Sequence, residues 1–417
     1  MRRSVLPGTL LSLILLTLAA PPAQEAPAWV AELSERFATE VPVALERESI
    51  PGAVVLVGHL EGDEWVTWCE AYGNIQIEPE VRPMPVDAIF DMASVTKPVA
   101  TGTSIMILQD RGLLSVDDLV SQHLIECDTD EKRDIRIRDL MTHSSGLPAY
   151  IGAAAQAPII EEFGYPCPDA LQDVILNIPL QYSPNSATVY SCLNAITCAQ
   201  IVERVSGQPL DEFAAENIFE PLGMIDTSFS PGPGPRVVPT TVGSHSSGEF
   251  LCGMVHDPLA NIQAGVSGNA GLFSTAQDLS IFAQMMLQGG ERDGVRILSE
   301  EAVGQMTSEQ LPSDVRTTRG GVAHRGLLWQ IAVGGPGDRG METIPAYTHT
   351  GYTGTAIRIW PSENFYVIAL TNRVHPDDTS EVAAFRQLCW RVPGEIALGI
   401  DTSTQVLKPL GDALATP

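Results

Sequence analysis

The 417-residue sequence predicts an α+β fold: one antiparallel sheet flanked by terminal helices, with a mostly helical subdomain inserted into it. Three observations carry this expectation. Strand-like runs lie near both ends of the chain, the stretch between them reads as helix and loop, and an amphipathic helix stands outside each set of strands.

Taken in order, residues 1–23 read as an export leader, with Arg2 and Arg3 ahead of an apolar run from Leu10 to Ala20 and then small residues and prolines. The run is short for a membrane span and no second stretch of spanning length follows, so a secreted or periplasmic protein is expected, with a retained N-terminal anchor as the alternative. Trp29, Leu33, Phe37, Val41 and Leu45 recur every four residues and predict a helix bent or ended near Pro42. Residues 53–60 and 64–72, joined by Glu61-Gly62-Asp63, read as a hairpin. A helix is expected over 94–111, closed by Gly112, and helices with Pro-, Gly- and Ser-rich loops continue to about residue 217. Gly265, Gly268 and Gly271 lead into a helix over 275–287. Strands return at 326–333, 355–360 and 365–370, and a helix over 380–390 closes the series. One catalytic domain, 27–417, with a helical insertion at about 111–260, accounts for this order; the cleft between sheet and insertion is the natural place for a site.

A formal net charge of −27 argues against nucleic acid and anionic membrane surfaces, both of which select basic patches. The seven cysteines are an odd number spread over a long chain, so at least one thiol is expected free unless chains pair. Cys192 and Cys198 fall on one expected helix, about 9 Å apart in rise, too far for a bridge.

Chemistry concentrates at three places. Ser94-Val95-Thr96-Lys97 contains one of only three lysines in the chain, the others being Lys132 and Lys408. A spacing of three on a helix puts both side chains on one face, so the amine can reach the hydroxyl. Serine is a poor nucleophile until a neighbour takes its proton, which lysine does only when neutral. The competing reading is an N-capping serine beside a solvated lysine. Tyr190-Ser191-Cys192-Leu193-Asn194 opens a helix, where a tyrosine can point into a cleft or pack in the core with its hydroxyl bonded. His349-Thr350-Gly351-Tyr352-Thr353-Gly354 immediately precedes the strand expected at 355–360. Small residues there let a substrate lie against backbone, and an N–H can donate to an oxyanion.

In order and context these three elements resemble the active-site motifs of the serine beta-lactamase-related hydrolases, which include class C beta-lactamases, penicillin-binding DD-peptidases and related esterases. The resemblance runs through most of the chain: Ile50-Pro51-Gly52-Ala53-Val54, Leu140-Met141-Thr142-His143-Ser144-Ser145-Gly146-Leu147, Ile218-Phe219-Glu220-Pro221-Leu222-Gly223-Met224, Val255-His256-Asp257-Pro258, Ala270-Gly271-Leu272-Phe273-Ser274-Thr275 and Leu370-Thr371-Asn372-Arg373 look like family landmarks. It implies a beta-lactamase/transpeptidase-like fold in which Ser94 attacks an ester or amide carbonyl to form an acyl-enzyme. Lys97 and Tyr190 would share the proton transfers. The backbone N–H groups of Ser94 and Tyr352 would form the oxyanion hole, and Cys192, His349, Thr350 and Gly351 would line the substrate, either a small molecule or a peptidoglycan-derived peptide.

Two departures stand out. Cys192 occupies the place of the family's usual Asn, removing a side-chain amide. His349 replaces the common lysine, and a neutral imidazole attracts a carboxylate less than an ammonium does. Both favour an esterase, amidase or peptidase over an efficient beta-lactamase. The rival expectation is a non-hydrolytic penicillin-binding or peptidoglycan-sensing relative. The Gly-x-Ser-x-Gly elbow is absent. A metal site can be drawn from His245, Cys252, His256 and Asp257, but no His-Glu-x-x-His is present. Gly334, Gly335, Gly337 and Gly340 fit neither phosphate-loop pattern. No metal or other cofactor is expected, and oligomeric state is not readable.

Overall fold

A computed structural model of the chain describes residues 27–400 apart from 244–247 and 334–339. The expected leader at 1–23, His245, and all but Gly340 of the glycine-rich loop lie outside the described residues. Among the described residues no helix is long and apolar enough to cross a membrane.

The expected hairpin is β1 (Gly52–Glu61) and β2 (Glu64–Gln76), with Glu61 opposite Glu64 and Gly62 at the tip with φ +64°. A short β3 (Arg82–Pro83) follows β2, and four late strands complete the sheet: β4 (Gln330–Ala332), β5 (Ala346–Thr350), β6 (Ala356–Trp360) and β7 (Phe365–Thr371). The order is β3-β2-β1-β7-β6-β5-β4, antiparallel throughout, so the first strand lies beside the last, with Val55 opposite Ala369.

Because β1 and β7 are buried on both faces, their side chains alternate between two cores. Val54, Leu56, Ile368 and Leu370 face one; Ala53, Val55, Val57, Val367 and Ala369 face the other. The second core is closed by α1 (Ala28–Glu48), through Leu33, Phe37 and Val41, and by a C-terminal helix, residues Ala383–Ala397, through Phe385, Cys389 and Val392. The first core joins the sheet to the helical part. It contains α2 (Thr103–Asp110), α3 (Cys192–Ser206) and α4 (Ala276–Leu287), so the C-terminal helix is α5.

Local details differ from the expectation. The first helix does not end at Pro42. Pro42 and Ala38, whose carbonyl loses its usual donor, are both exposed, and water can serve that carbonyl. The run at 326–333 pairs only over Gln330–Ala332, because Leu327, Leu328 and Trp329 turn into the core, with Leu328 at φ +58°. The last helix begins at Ala383; Ser380 instead donates its hydroxyl to the Ser49 carbonyl. All seven cysteines are free.

Candidate active site

The segment expected as one helix over 94–111 winds in three ways. A tight turn, Ala93–Val95, is followed by a wide turn, Lys97–Gly102, and then by α2. Pro98 has no N–H to place in the ladder, and Thr103 donates both its N–H and its hydroxyl to the Pro98 carbonyl five residues back. Ahead of the serine, Ala93 sits at φ +45°, a conformation costly for a residue with a Cβ. Its surroundings hold it there. The Asp91 carboxylate accepts the Ala93 N–H at 2.8 Å, Met92 N–H donates to the Leu272 carbonyl at 2.9 Å, and the Thr353 and Thr355 hydroxyls donate to the Asp91 and Met92 carbonyls at 2.7 and 2.9 Å.

This turn sets Ser94 Oγ 2.8 Å from Lys97 Nζ, which also donates to the Asn269 carbonyl at 3.0 Å and lies 3.6 Å from Cys192 Sγ. Lys97 is fully buried and forms no ion pair with any carboxylate among the described residues. The solvated lysine of the competing reading is therefore excluded. Tyr190 lies at the other side of the amine, its ring centroid 4.8 Å from Nζ. Its hydroxyl is sealed from solvent and makes no well-directed hydrogen bond, while still lying within the influence of Lys97 and Ser94.

The electrostatics of these groups are linked. Desolvation is the largest influence on Lys97 and works to lower its pKa, but attraction to Cys192 and Tyr190 outweighs it and the net direction is upward. That attraction exists only when one of those neighbours has lost its proton. Desolvation pushes both of them up, with the Lys97 ammonium pulling the other way. The three groups thus share one dry pocket in which the charge of each depends on the protons held by the others.

Tyr190 enters from the loop before α3. Ser191 caps that helix by accepting the Asn194 N–H, and donates its own hydroxyl to the Pro148 carbonyl at 2.6 Å. Against the Tyr190 ring lie three groups that motif reading did not assign to the site or placed differently. His143, at φ +61°, packs at 4.7 Å between ring centroids and accepts the Ser191 N–H on Nδ1. His349 is 6.1 Å away, and the Arg325 guanidinium stands 6.0 Å from the ring centroid. Desolvation, reinforced by Arg325 and Lys97, drives both histidines well below the ordinary range, so both are neutral. Arg325 forms no ion pair among the described residues, and its Nε is buried without a partner. No pattern around Arg325 marks it in the sequence; only the chain turning back at 325–330 brings it here. His143 does sit in a recognisable helix stop, but nothing local ties it to Tyr190.

His349 and Thr350 stand ahead of the expected strand, which is β6, and are themselves the last residues of β5, which pairs with β6 through His349 and Ile357. The turn beyond them is tight. A Cβ at Gly351 would stand 2.1 Å from Thr355 Oγ1 and 2.5 Å from the Met92 carbonyl, so only glycine fits beside the Ser94 turn. Neither the Ser94 nor the Tyr352 N–H is committed to a hydrogen bond among the described residues. Of the metal candidates, Asp257 caps a short helix and accepts from Asn269, His256 stacks on Tyr352, and Cys252 contacts the Val237 carbonyl. No group of three or more possible ligands occurs among the described residues.

Comparison with known proteins agrees with this architecture. A protein from Escherichia coli (strain K12) that bears the name "Putative D-alanyl-D-alanine carboxypeptidase" is 31% identical over 332 residues, 73% of each chain, and one of the same name from Escherichia coli O157:H7 is 32% identical over 316 residues, 69% of each. Among solved structures, the octameric penicillin-binding protein homologue from Pyrococcus abyssi aligns with TM-score 0.66 at 20% identity, covering 87% of this chain and 78% of that one. A class C beta-lactamase from Rhodobacter sphaeroides aligns with TM-score 0.62 at 20% identity over 85% and 96% of the two chains, a likeness that shows the shared fold. The Beta-lactamase family model matches residues 29–388, and with that extent of match the chain belongs to the beta-lactamase family.

Proposed function

We propose that this protein is an exported serine hydrolase that works through an acyl-serine intermediate, and that its substrates are peptides ending in D-alanyl-D-alanine. The observation that carries the first part is the buried Lys97 amine 2.8 Å from Ser94 Oγ, with no carboxylate among the described residues paired to it. As Ser94 attacks the carbonyl, Lys97 and Tyr190 take its proton and pass it to the leaving amine. Water, deprotonated by the same pair, then releases the acyl group. Developing charge on the carbonyl oxygen is met by the free N–H groups of Ser94 and Tyr352.

The substrate class rests on the relatives' name and on Arg325. His349 is neutral and cannot replace an ammonium, but an unpaired guanidinium beside Tyr190 supplies the positive charge that a terminal carboxylate needs. Thr350, the last residue of β5, and Gly351 after it offer backbone for the peptide to lie along.

Purified protein treated with a fluorophosphonate should gain one adduct by intact mass, and Ser94→Ala should gain none. A Ser94→Ala protein labelled at the same site removes the nucleophile assignment. Release of D-alanine from a D-alanyl-D-alanine peptide, followed by amino-acid analysis, tests the substrate. Hydrolysis of nitrophenyl esters without any such release would retain the mechanism and replace the substrate class.

A further inference from the structure

The turn that follows β5 is backed by a buried cation. Arg386, on α5, is 8% exposed, and its Nη2 donates to the Gly351 carbonyl at 2.8 Å and to the Thr355 carbonyl at 2.9 Å. Among the described residues it forms no ion pair, and its Nε is buried without a partner. The charged groups facing it are Arg373 and Glu48. Both Glu48 oxygens are committed to the backbone N–H groups of Ala384 and Phe385, so they cap α5 without bridging to the guanidinium.

The Gly351 carbonyl belongs to the same peptide unit as the Tyr352 N–H. We propose that Arg386 is a positioning residue of the oxyanion hole, its buried guanidinium polarising the Gly351–Tyr352 peptide so that the N–H at the far end donates more strongly to the developing oxyanion. This rests on the acyl-serine reading above. A cation bonded to an amide oxygen draws electron density from the nitrogen, and in a dry interior the effect is not screened by water. No proton moves and no charge is transferred; the guanidinium acts through a dipole already in place before the substrate arrives.

The turn also has ties that do not involve Arg386 as a donor. Gly351 N–H already closes on the Thr355 carbonyl at 2.7 Å, and Gly354 N–H on the Gly351 carbonyl at 3.1 Å. Arg373 Nε secures the Tyr352 carbonyl at 2.5 Å, and the two threonine hydroxyls tie the turn to Asp91 and Met92. With five ties besides the Arg386 bonds, two of them to the same Gly351 and Thr355 carbonyls, the geometry of the turn does not rest on the guanidinium alone, whose desolvation is costly.

The test compares Arg386→Met, Arg386→Gln and Arg386→Lys in the full protein. Each variant is followed by the second-order rate of Ser94 phosphonylation with a fluorophosphonate and by kcat and KM on a neutral nitrophenyl ester. Arg386→Met should lose about 10- to 100-fold in phosphonylation rate and kcat, with KM within about twofold. Arg386→Gln, which can donate to the same carbonyls without charge, should resemble Met, and Arg386→Lys should recover most of the rate. Wild-type rates in Met or Gln overturn the inference. Should the Met variant fail to fold, a Lys variant no faster than Gln overturns it as well. A wild-type protein that is not labelled at Ser94 overturns the acyl-serine reading beneath, a result distinct from every one of these.

Discussion

At the scale of single residues, the Arg325 guanidinium is the group whose removal best separates recognition from chemistry. It stands over the Tyr190 ring, away from the Ser94–Lys97 pair, whose Lys97 amine donates to Ser94 Oγ and to the Asn269 carbonyl. Arg325→Ala should raise KM for a D-alanyl-D-alanine peptide about tenfold or more, the loss expected for one charge-assisted contact, while KM for a neutral ester changes little. Steady-state kinetics on the two substrates decide it: equal changes on both would place Arg325 outside carboxylate recognition. A spacing of three drew attention to Ser94 and Lys97, and only the resemblance to family motifs joined Tyr190 to them; the structure places the three side chains together. Arg325, His143 and Arg386 were not legible in the sequence, since each reaches the site from a segment whose own pattern says only helix stop, loop or helix.

At the scale of elements, the covering pair α1 and α5 determines whether the sheet keeps its second core. Phe37 is fully buried and meets Trp68 edge-on at 5.2 Å between centroids, in the apolar row that periodicity alone had marked. Phe37→Ala should cost about 3–5 kcal/mol of unfolding free energy, read from urea denaturation, because rigid neighbours on β1, β2 and α5 cannot collapse into the space. A cost below about 1 kcal/mol would mean the helix packs more loosely than its burial indicates. The extent of α1 beyond Pro42 was not legible, since whether a proline ends a helix depends on whether the freed carbonyl faces water.

At the scale of the whole molecule, stability should carry the mark of Asp91. Its carboxylate accepts the Ala93 N–H and, at 2.7 Å, the His256 N–H, joining the Ser94 turn to the segment before Asp257. Burial raises its pKa to about 6, with the Asp257 charge adding to the shift and the two N–H bonds opposing it. The unfolded value is about 3.9. The folded protein therefore holds a proton that the unfolded chain has lost between about pH 4 and pH 6, so this group's contribution to stability declines as pH rises through that window and is level above it. Asp91→Asn stays neutral throughout. Its unfolding free energy relative to wild type should climb by on the order of 3 kcal/mol from pH 4 to pH 7, measured by denaturation at each pH. A difference independent of pH would show that Asp91 does not change charge in that range.

The sequence by itself determined the antiparallel sheet and its covering helices, because alternation and four-residue periodicity are set by neighbours along the chain, and it singled out Ser94, Lys97 and Tyr190 only through their resemblance to family motifs. The tertiary structure alone decided what surrounds them. The strand-end position of His349 and Thr350, the closeness of Gly351 to the Ser94 turn, and the two unpaired guanidiniums of Arg325 and Arg386 depend on contacts between segments far apart in sequence. Such contacts are fixed by how the sheet brings its first and last strands together, and no local pattern encodes which buried charge will face which carbonyl.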